Sequence, residues 1–296
     1  MVNGTYETRG RAGRPVTGAV LLAAVVLAAV GCGSTPDLEQ WRATWVVPRE
    51  DASTAMIERD LQTVESLRGS GRLEESRRLA LMIVAEHPDD LLANYVASRA
   101  ESDEVFRLVD GTKADRNAAA WSALDFSRRA MAAFEESGQD AAAEPPVDLL
   151  AQHAYAMGAA THLRGMFARA GHARATLSAT ERALDRDPGH PVALATRATL
   201  ELRLATLPWI AKTMAVGAPR GSLERANLFA RQAADRRPSI ENRLLLAKVL
   251  QARDQDGDRI EARDLLRETL DRPDRFPRDA ALRGEASELL ASLGGS

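Results

Sequence analysis

A single thiol, Cys32, is the residue whose setting is sharpest in this chain. Alone, it can form neither an intramolecular disulfide nor a multi-thiolate zinc or iron–sulfur site. The other groups able to do chemistry are dispersed. Five histidines occur, His87, His153, His162, His172 and His190. No two stand four apart and there is no H-E-x-x-H, so a helical zinc site has no support. His87 and His190 lie beside helix-ending prolines and are expected to cap helix C-termini through charge and dipole. Asp254-Gln255-Asp256-Gly257-Asp258 is rich in carboxylates, but an EF-hand loop needs Gly at its sixth position and Glu at its twelfth, where Arg259 and Leu265 stand. There is no G-x-S-x-G and no Walker lysine, and residues 217–222 lack the lysine of a phosphate loop. The remaining carboxylates alternate with arginines and are expected to form solvated helix faces laced with i, i+4 pairs. These patterns predict no cofactor, no metal and no enzyme.

Cys32 ends a segment with its own logic. Arg9, Arg11 and Arg14 precede an apolar run over residues 16–30. That run falls short of the ~20 residues that span a bilayer, and a basic start followed by such a stretch is the pattern of a secretory signal peptide. Ala29-Val30-Gly31-Cys32 resembles the bacterial lipobox, with Ala29 standing where the family prefers Leu. The resemblance implies diacylglycerol transfer to the Cys32 thiol, cleavage between Gly31 and Cys32, and N-acylation with a chain such as palmitate. Multiple acyl chains anchor a protein stably. Gly33 and Ser34 follow, with no Asp at the second position. By the sorting rule of such lipoproteins this implies the outer membrane, facing the periplasm. The expected division is residues 1–31 as signal peptide, 32–36 as lipidated tether and 37–296 as a helical domain.

The elements that follow must carry everything else. The 296 residues hold 39 basic and 42 acidic side chains, a net −3, which argues against a nucleic-acid partner. Strand patterning is nearly absent and helical periodicity recurs. Leu73, Ser76, Ala80, Ile83 and Val84 share one face, and Leu282, Ala286, Leu289, Leu290 and Leu293 another. Across 240–250 the apolar arc is broad, as in a helix covered on two sides. Two or three long-helix pairs are expected, near 89–109, 113–136 and 147–170, with a polar loop over 138–146.

A unit repeats. Gly71, Gly171 and Gly221 are each followed seventeen residues later by Pro88, Pro188 and Pro238, and a fourth copy runs from Gly257 to Pro273. Small or apolar residues recur in register: Ser76, Thr176 and Ala226, then Ile83, Ala183 and Ala233, with Ala262, Leu266 and Thr269 in the fourth copy. The glycine is expected to turn the chain between antiparallel helices, the small residues to let backbones approach, and the proline to stop the second helix. This resembles the tetratricopeptide (TPR) repeat, a helix–turn–helix of about 34 residues. The implied fold is all-α, an α-solenoid of TPR-like hairpins, clearest over 57–90, 157–190 and 191–296. Such arrays present extended concave surfaces to protein or peptide partners.

Between Leu207 and Arg220 an insert interrupts the register. Its Trp209 is expected to pack the insert on the solenoid or to contact a partner. From Leu200 to Leu293 the order of Leu207-Pro208-Trp209, Ser222-Leu223-Glu224-Arg225-Ala226 and Asn242-Arg243-Leu244-Leu245-Leu246-Ala247-Lys248 resembles the TPR region of the regulator of microtubule dynamics family. It is also similar to the T-component lipoproteins of tripartite periplasmic (TRAP) transporters. The second resemblance implies partnership with a periplasmic solute-binding protein. The expected function is a lipid-anchored, non-catalytic scaffold in the cell envelope, with a TRAP T-component as the alternative.

Overall fold

The computed structural model describes residues 52–108, 111–137, 144–161, 166–208 and 220–294. Gly31, Cys32 and Trp209 lie outside the described residues, as does most of the 207–220 insert. The described residues are all-helical: α1 Ala52–Gly69, α2 Leu73–Glu86, α3 Leu91–Arg107, α4 Lys113–Glu136, α5 Val147–Thr161, α6 Met166–Arg186, α7 Pro191–Thr206, α8 Leu223–Arg236, α9 Ile240–Arg253, α10 Asp258–Leu270 and α11 Asp279–Gly294. Each packs on the next, and the odd-numbered helices also pack on one another in series. The odd helices therefore form an inner layer and the even helices an outer one, the arrangement of an α-solenoid built from hairpins.

Local chemistry sets the boundaries. Asp90, Thr112, Ser222 and Ser239 each accept a hydrogen bond from the first turn of α3, α4, α8 and α9, satisfying amides that have no partner within the helix. Pro88, Pro188, Pro238 and Pro273 follow the ends of α2, α6, α8 and α10, as the repeat predicts. Gly71 turns α1 into α2 at φ +79° and Gly257 opens α10 at φ +85°, a region that costs a residue with a Cβ.

The other two repeat glycines behave differently. Gly171 lies within α6 rather than at a turn, because α5 ends at Thr161 and α6 begins at Met166. The span 147–170 holds α5 and the start of α6, and the repeat placed at 157–190 starts inside α5. Gly221 serves close approach, since a Cβ there would fall inside the backbone of α7 at Glu201, Leu204 and Ala205.

The repeated small positions are the seams. Ser76, Thr176, Ala226, Ile83, Ala183, Ala233, Ala262, Leu266 and Thr269 are all buried. From 240 to 250 only Arg243 keeps partial exposure, so α9 is covered on two sides as its broad apolar arc requires. Buried leucines such as Leu244, Leu245 and Leu250 contribute about 1.5–3 kcal/mol each.

α3 departs most from a solenoid's inner helix. Every residue from 93 to 106 is buried, including Asn94, Ser98, Arg99, Glu101, Ser102, Asp103 and Glu104. The cause is topological: α3 is packed by α1, α2, α4 and α5, and α11 returns from the far end of the array to touch it as well.

Candidate functional site: a filled inner face

On α3, Arg99, Asp103 and Phe106 stand at i, i+4 and i+7 and so share one stripe. α1 contributes Glu65 and Arg68, α5 contributes Tyr155, and the first turn of α9 contributes Glu241. The remaining member, Arg278, precedes α11 and closes its first turn by accepting the Leu282 amide at 3.1 Å. Asp279 fixes that start in space. One carboxylate oxygen accepts the Ile240 amide of α9 at 3.2 Å, and the other accepts the Arg275 and Phe276 amides at 3.0 and 3.1 Å.

The side chains meet where the inner helices converge. Arg278 Nε donates to Asp103 Oδ1 at 2.6 Å, and Arg278 Nη1 donates to Glu241 Oε1 at 3.0 Å and to Tyr155 Oη at 3.5 Å. The guanidinium lies 4.1 Å from the Phe106 ring centre and 5.5 Å from that of Tyr155, within range of cation–π attraction. Arg68 Nε pairs with Asp103 Oδ2, and Arg68 Nη2 reaches Asp103 Oδ1 at 3.2 Å. Glu65 sits 3.0 Å from Arg99 and 3.8 Å from Arg68. Three guanidiniums thus face three carboxylates away from solvent. Elsewhere along the layer, Lys248 Nζ donates to Glu285 of α11 at 2.7 Å. Gln152 of α5 donates to Ser98 and Ser102 of α3 at 2.9 and 3.0 Å.

Burial alone would raise the Asp103 carboxyl, yet the adjoining Arg68 and Arg278 hold it down at about 2. Burial pushes the Tyr155 phenol up, and the Glu241 and Asp103 charges add to that rise. Burial lowers Arg278, but the negative groups around it outweigh burial and its pKa rises. Lys248 is lowered by burial, against the pull of Glu285. The cluster is a set of opposed charges, in which Asp103 and Glu241 accept hydrogen bonds from arginines and Glu65 faces Arg99 and Arg68 as an ion pair. It can bind and orient a guanidinium. Its carboxylates are already committed to arginines and have no unshared role as general bases.

The carboxylates expected on solvated faces are therefore partly in the interior. The periodicity of one helix reports only its own faces, and it is the covering of α3 by α1, α2, α4, α5 and the returning α11 that makes its polar stripe an inside. Nothing local in the sequence flags Asp103. The one hint is Arg278 itself, following Pro277 in the irregular link ahead of a helix.

The histidines divide. His87 is the C-terminal cap residue of α2. His190 is instead the N-cap of α7, because the turn after Pro188 is short and Pro191 already opens the next helix; its Nδ1 accepts the Ala193 amide at 3.3 Å, and Nε2 lies 3.1 Å from Asp148. His153 is half-buried with Nδ1 3.0 Å from Ser127 Oγ. Ser127 already donates to the Leu124 carbonyl at 2.9 Å, so His153 must be the donor in that pair. Burial, then Arg128 and Arg182, lower His153 to about 4, and it is neutral. His172 lies in α6, and His162 is outside the described residues. Asp258 of the carboxylate-rich turn pairs with Arg253 and accepts the Gln255 amide at 3.1 Å, which makes it part of the α9–α10 turn. Among the described residues no group of three or more His, Cys, Asp or Glu is placed to hold a metal ion, and no helix is long and apolar enough to cross a membrane.

No protein-family model matches the chain, and no curated protein matches it by sequence. By structure it is similar to a thermophilic TPR protein of Thermus thermophilus, with a TM-score of 0.53 and 16% identity over 79% of this chain and 99% of that one. The likeness is one of fold: TPR-like hairpins stacked as an α-solenoid.

Proposed function

We propose that this protein is a lipid-anchored, non-catalytic scaffold that binds protein or peptide partners in the bacterial cell envelope. The observation that carries the reading is the place of its one cysteine. Cys32 closes a basic-then-apolar leader at a Val-Gly step, and the described chain beyond it is an array of hairpins. Acyl chains would hold that array against a bilayer, and stacked hairpins offer broad surfaces to partners. The expected place is the periplasmic face of the outer membrane. Metabolic labelling with an alkyne fatty acid should mark the wild-type chain and not Cys32→Ser; equal labelling of both would sink the anchor. Cross-linking in intact cells should return a recurring protein partner, and recovery of only the background seen with an unrelated lipoprotein would remove the scaffold. Trp209→Ala that folds normally yet loses this partner would mark Trp209 as a contact.

The TRAP T-component reading shares the lipobox and the hairpin array. It ranks second because it calls for an enclosed apolar cavity or pore, whereas the centre of this inner layer carries Arg278, Asp103 and Glu241 in contact.

A further inference from the structure

The geometry points to an arginine-binding cradle on the inner face: Asp103, Glu241, Phe106 and Tyr155 form a site for a guanidinium-bearing peptide segment, which the chain's own Arg278 fills as a displaceable intramolecular ligand. This deepens the scaffold reading and rests on it, since it names the chemistry of the partner segment the inner face would take.

The cradle has the features that select a guanidinium. Two carboxylates from different helices accept from different nitrogens of one side chain, at 2.6 and 3.0 Å. Two ring faces, at 4.1 and 5.5 Å, lie within reach of the delocalised cation. A lysine ammonium, a compact point charge without a planar fork, would not satisfy this arrangement.

For Arg278 to leave, α11 must loosen with it, which means opening the Asp279 bond to Ile240 and the Lys248–Glu285 pair. Residues 271–275, which lead from α10 toward Arg278, are all exposed. α11 is the last described helix, and its apolar hold is thin. It buries Leu282, Ala286 and Leu293, whereas neighbouring α9 buries Ile240, Leu244, Leu245, Leu246, Ala247, Val249 and Leu250. The hairpins from α1 to α10 pack in series without α11. Departure of Arg278 would leave Asp103 to Arg68 alone and take from Glu241 the guanidinium at 3.0 Å, a costly change in a buried site. Exchange is favoured only when another guanidinium arrives, so the site discriminates by chemistry.

The test uses the full chain and a fluorescent synthetic peptide copying residues 271–294. Arg278→Gln in the protein weakens its own arm. The peptide should bind this variant at least tenfold more tightly than it binds the wild-type protein. The same peptide carrying Arg278→Gln should bind the variant at least tenfold more weakly than the unaltered peptide. Equal affinity of both peptides, equal binding to both proteins, or no binding to the variant would overturn the proposal. Should Arg278→Gln fail to fold, Glu241→Gln provides a milder loosening read by hydrogen exchange. Amides of 279–294 should exchange faster while those of 240–250 stay protected, and loss of protection in both together would overturn the proposal. A failed cradle test beside a cross-linked partner in cells would remove the cradle and leave the scaffold.

Discussion

Arg278 and Asp103 lie 175 positions apart in the chain, yet their side chains meet at 2.6 Å with 2% exposure each. They join the start of α11 to the middle of α3. A buried pair of this kind adds little net stability relative to apolar residues of the same volume, but breaking it strands a charge. Asp103→Ala leaves Arg278 and Arg68 facing each other and should cost about 3–5 kcal/mol in urea unfolding. A loss below about 1 kcal/mol would mean that water reaches the site in solution.

The same carboxylate predicts behaviour in acid. Its folded pKa of about 2 lies below the ordinary 3.8, so the stability it confers is fully present above 3.8 and is lost as pH falls toward 2. Asp103→Asn, which no longer titrates, should flatten the unfolding curve in that window.

His153 acts in a higher window. Its folded pKa of about 4 lies below the ordinary 6.5, so the unfolded chain takes up the proton first and stability falls as pH drops from 6.5 to 4. The integrated loss is on the order of 3 kcal/mol. His153→Gln can still donate to Ser127 but does not titrate. Its urea midpoint should change less between pH 7 and pH 4.5 than that of the wild type, and an unchanged difference would refute the assignment.

Two glycines separate conformation from space. Gly71 has positive φ and open surroundings, so Gly71→Ala should cost only backbone strain, about 1 kcal/mol. Gly221 has backbone of α7 where its Cβ would stand. Gly221→Ala must push α8 off α7 and should cost about 3 kcal/mol or more. Thermal melts of the two variants should show the larger drop for Gly221→Ala.

Asn242 ties one helix of its hairpin to the next. Its buried amide donates to the Ala233 and Arg237 carbonyls at 3.1 and 2.9 Å, and Asn94 does likewise for Pro88 and Asp90 at 2.7 and 2.8 Å. Asn242→Leu would leave those carbonyls at the end of α8 without that donor and should cost about 1–3 kcal/mol by chemical denaturation.

How much of this the sequence carries depends on the range of the forces involved. The seam of α2, with Ser76, Ala80, Ile83 and Val84 buried, and the proline stops follow from spacing and backbone sterics within one helix. They are legible for that reason. Gly171 and Gly221 share a repeat register with Gly71, but one lies within a helix and the other permits backbone contact; register records position and not φ. His190 reads as a C-terminal cap because the proline two residues before it hides the equally telling proline one residue after it. Asp103, Arg278 and Glu241 are illegible because each polar stripe, taken alone, looks like a wet surface. The packing of α1, α2, α4 and α5 around α3, completed by the approach of α11, decides otherwise, and no stripe of a single helix records it.

That approach also orders events during synthesis. Asp103 leaves the ribosome 175 residues before Arg278, roughly 10–35 s earlier at about 5–20 residues per second. Throughout that interval Asp103 must be held by Arg68 and water, while Arg99, Ser98 and Ser102 already have Glu65 and Gln152 as partners. Hairpins that settle on their neighbours as they emerge can pack in series, but the charge that seals the centre comes with the last of them. The nascent array is thus a ring with a missing segment, open on its polar side until translation has passed α10.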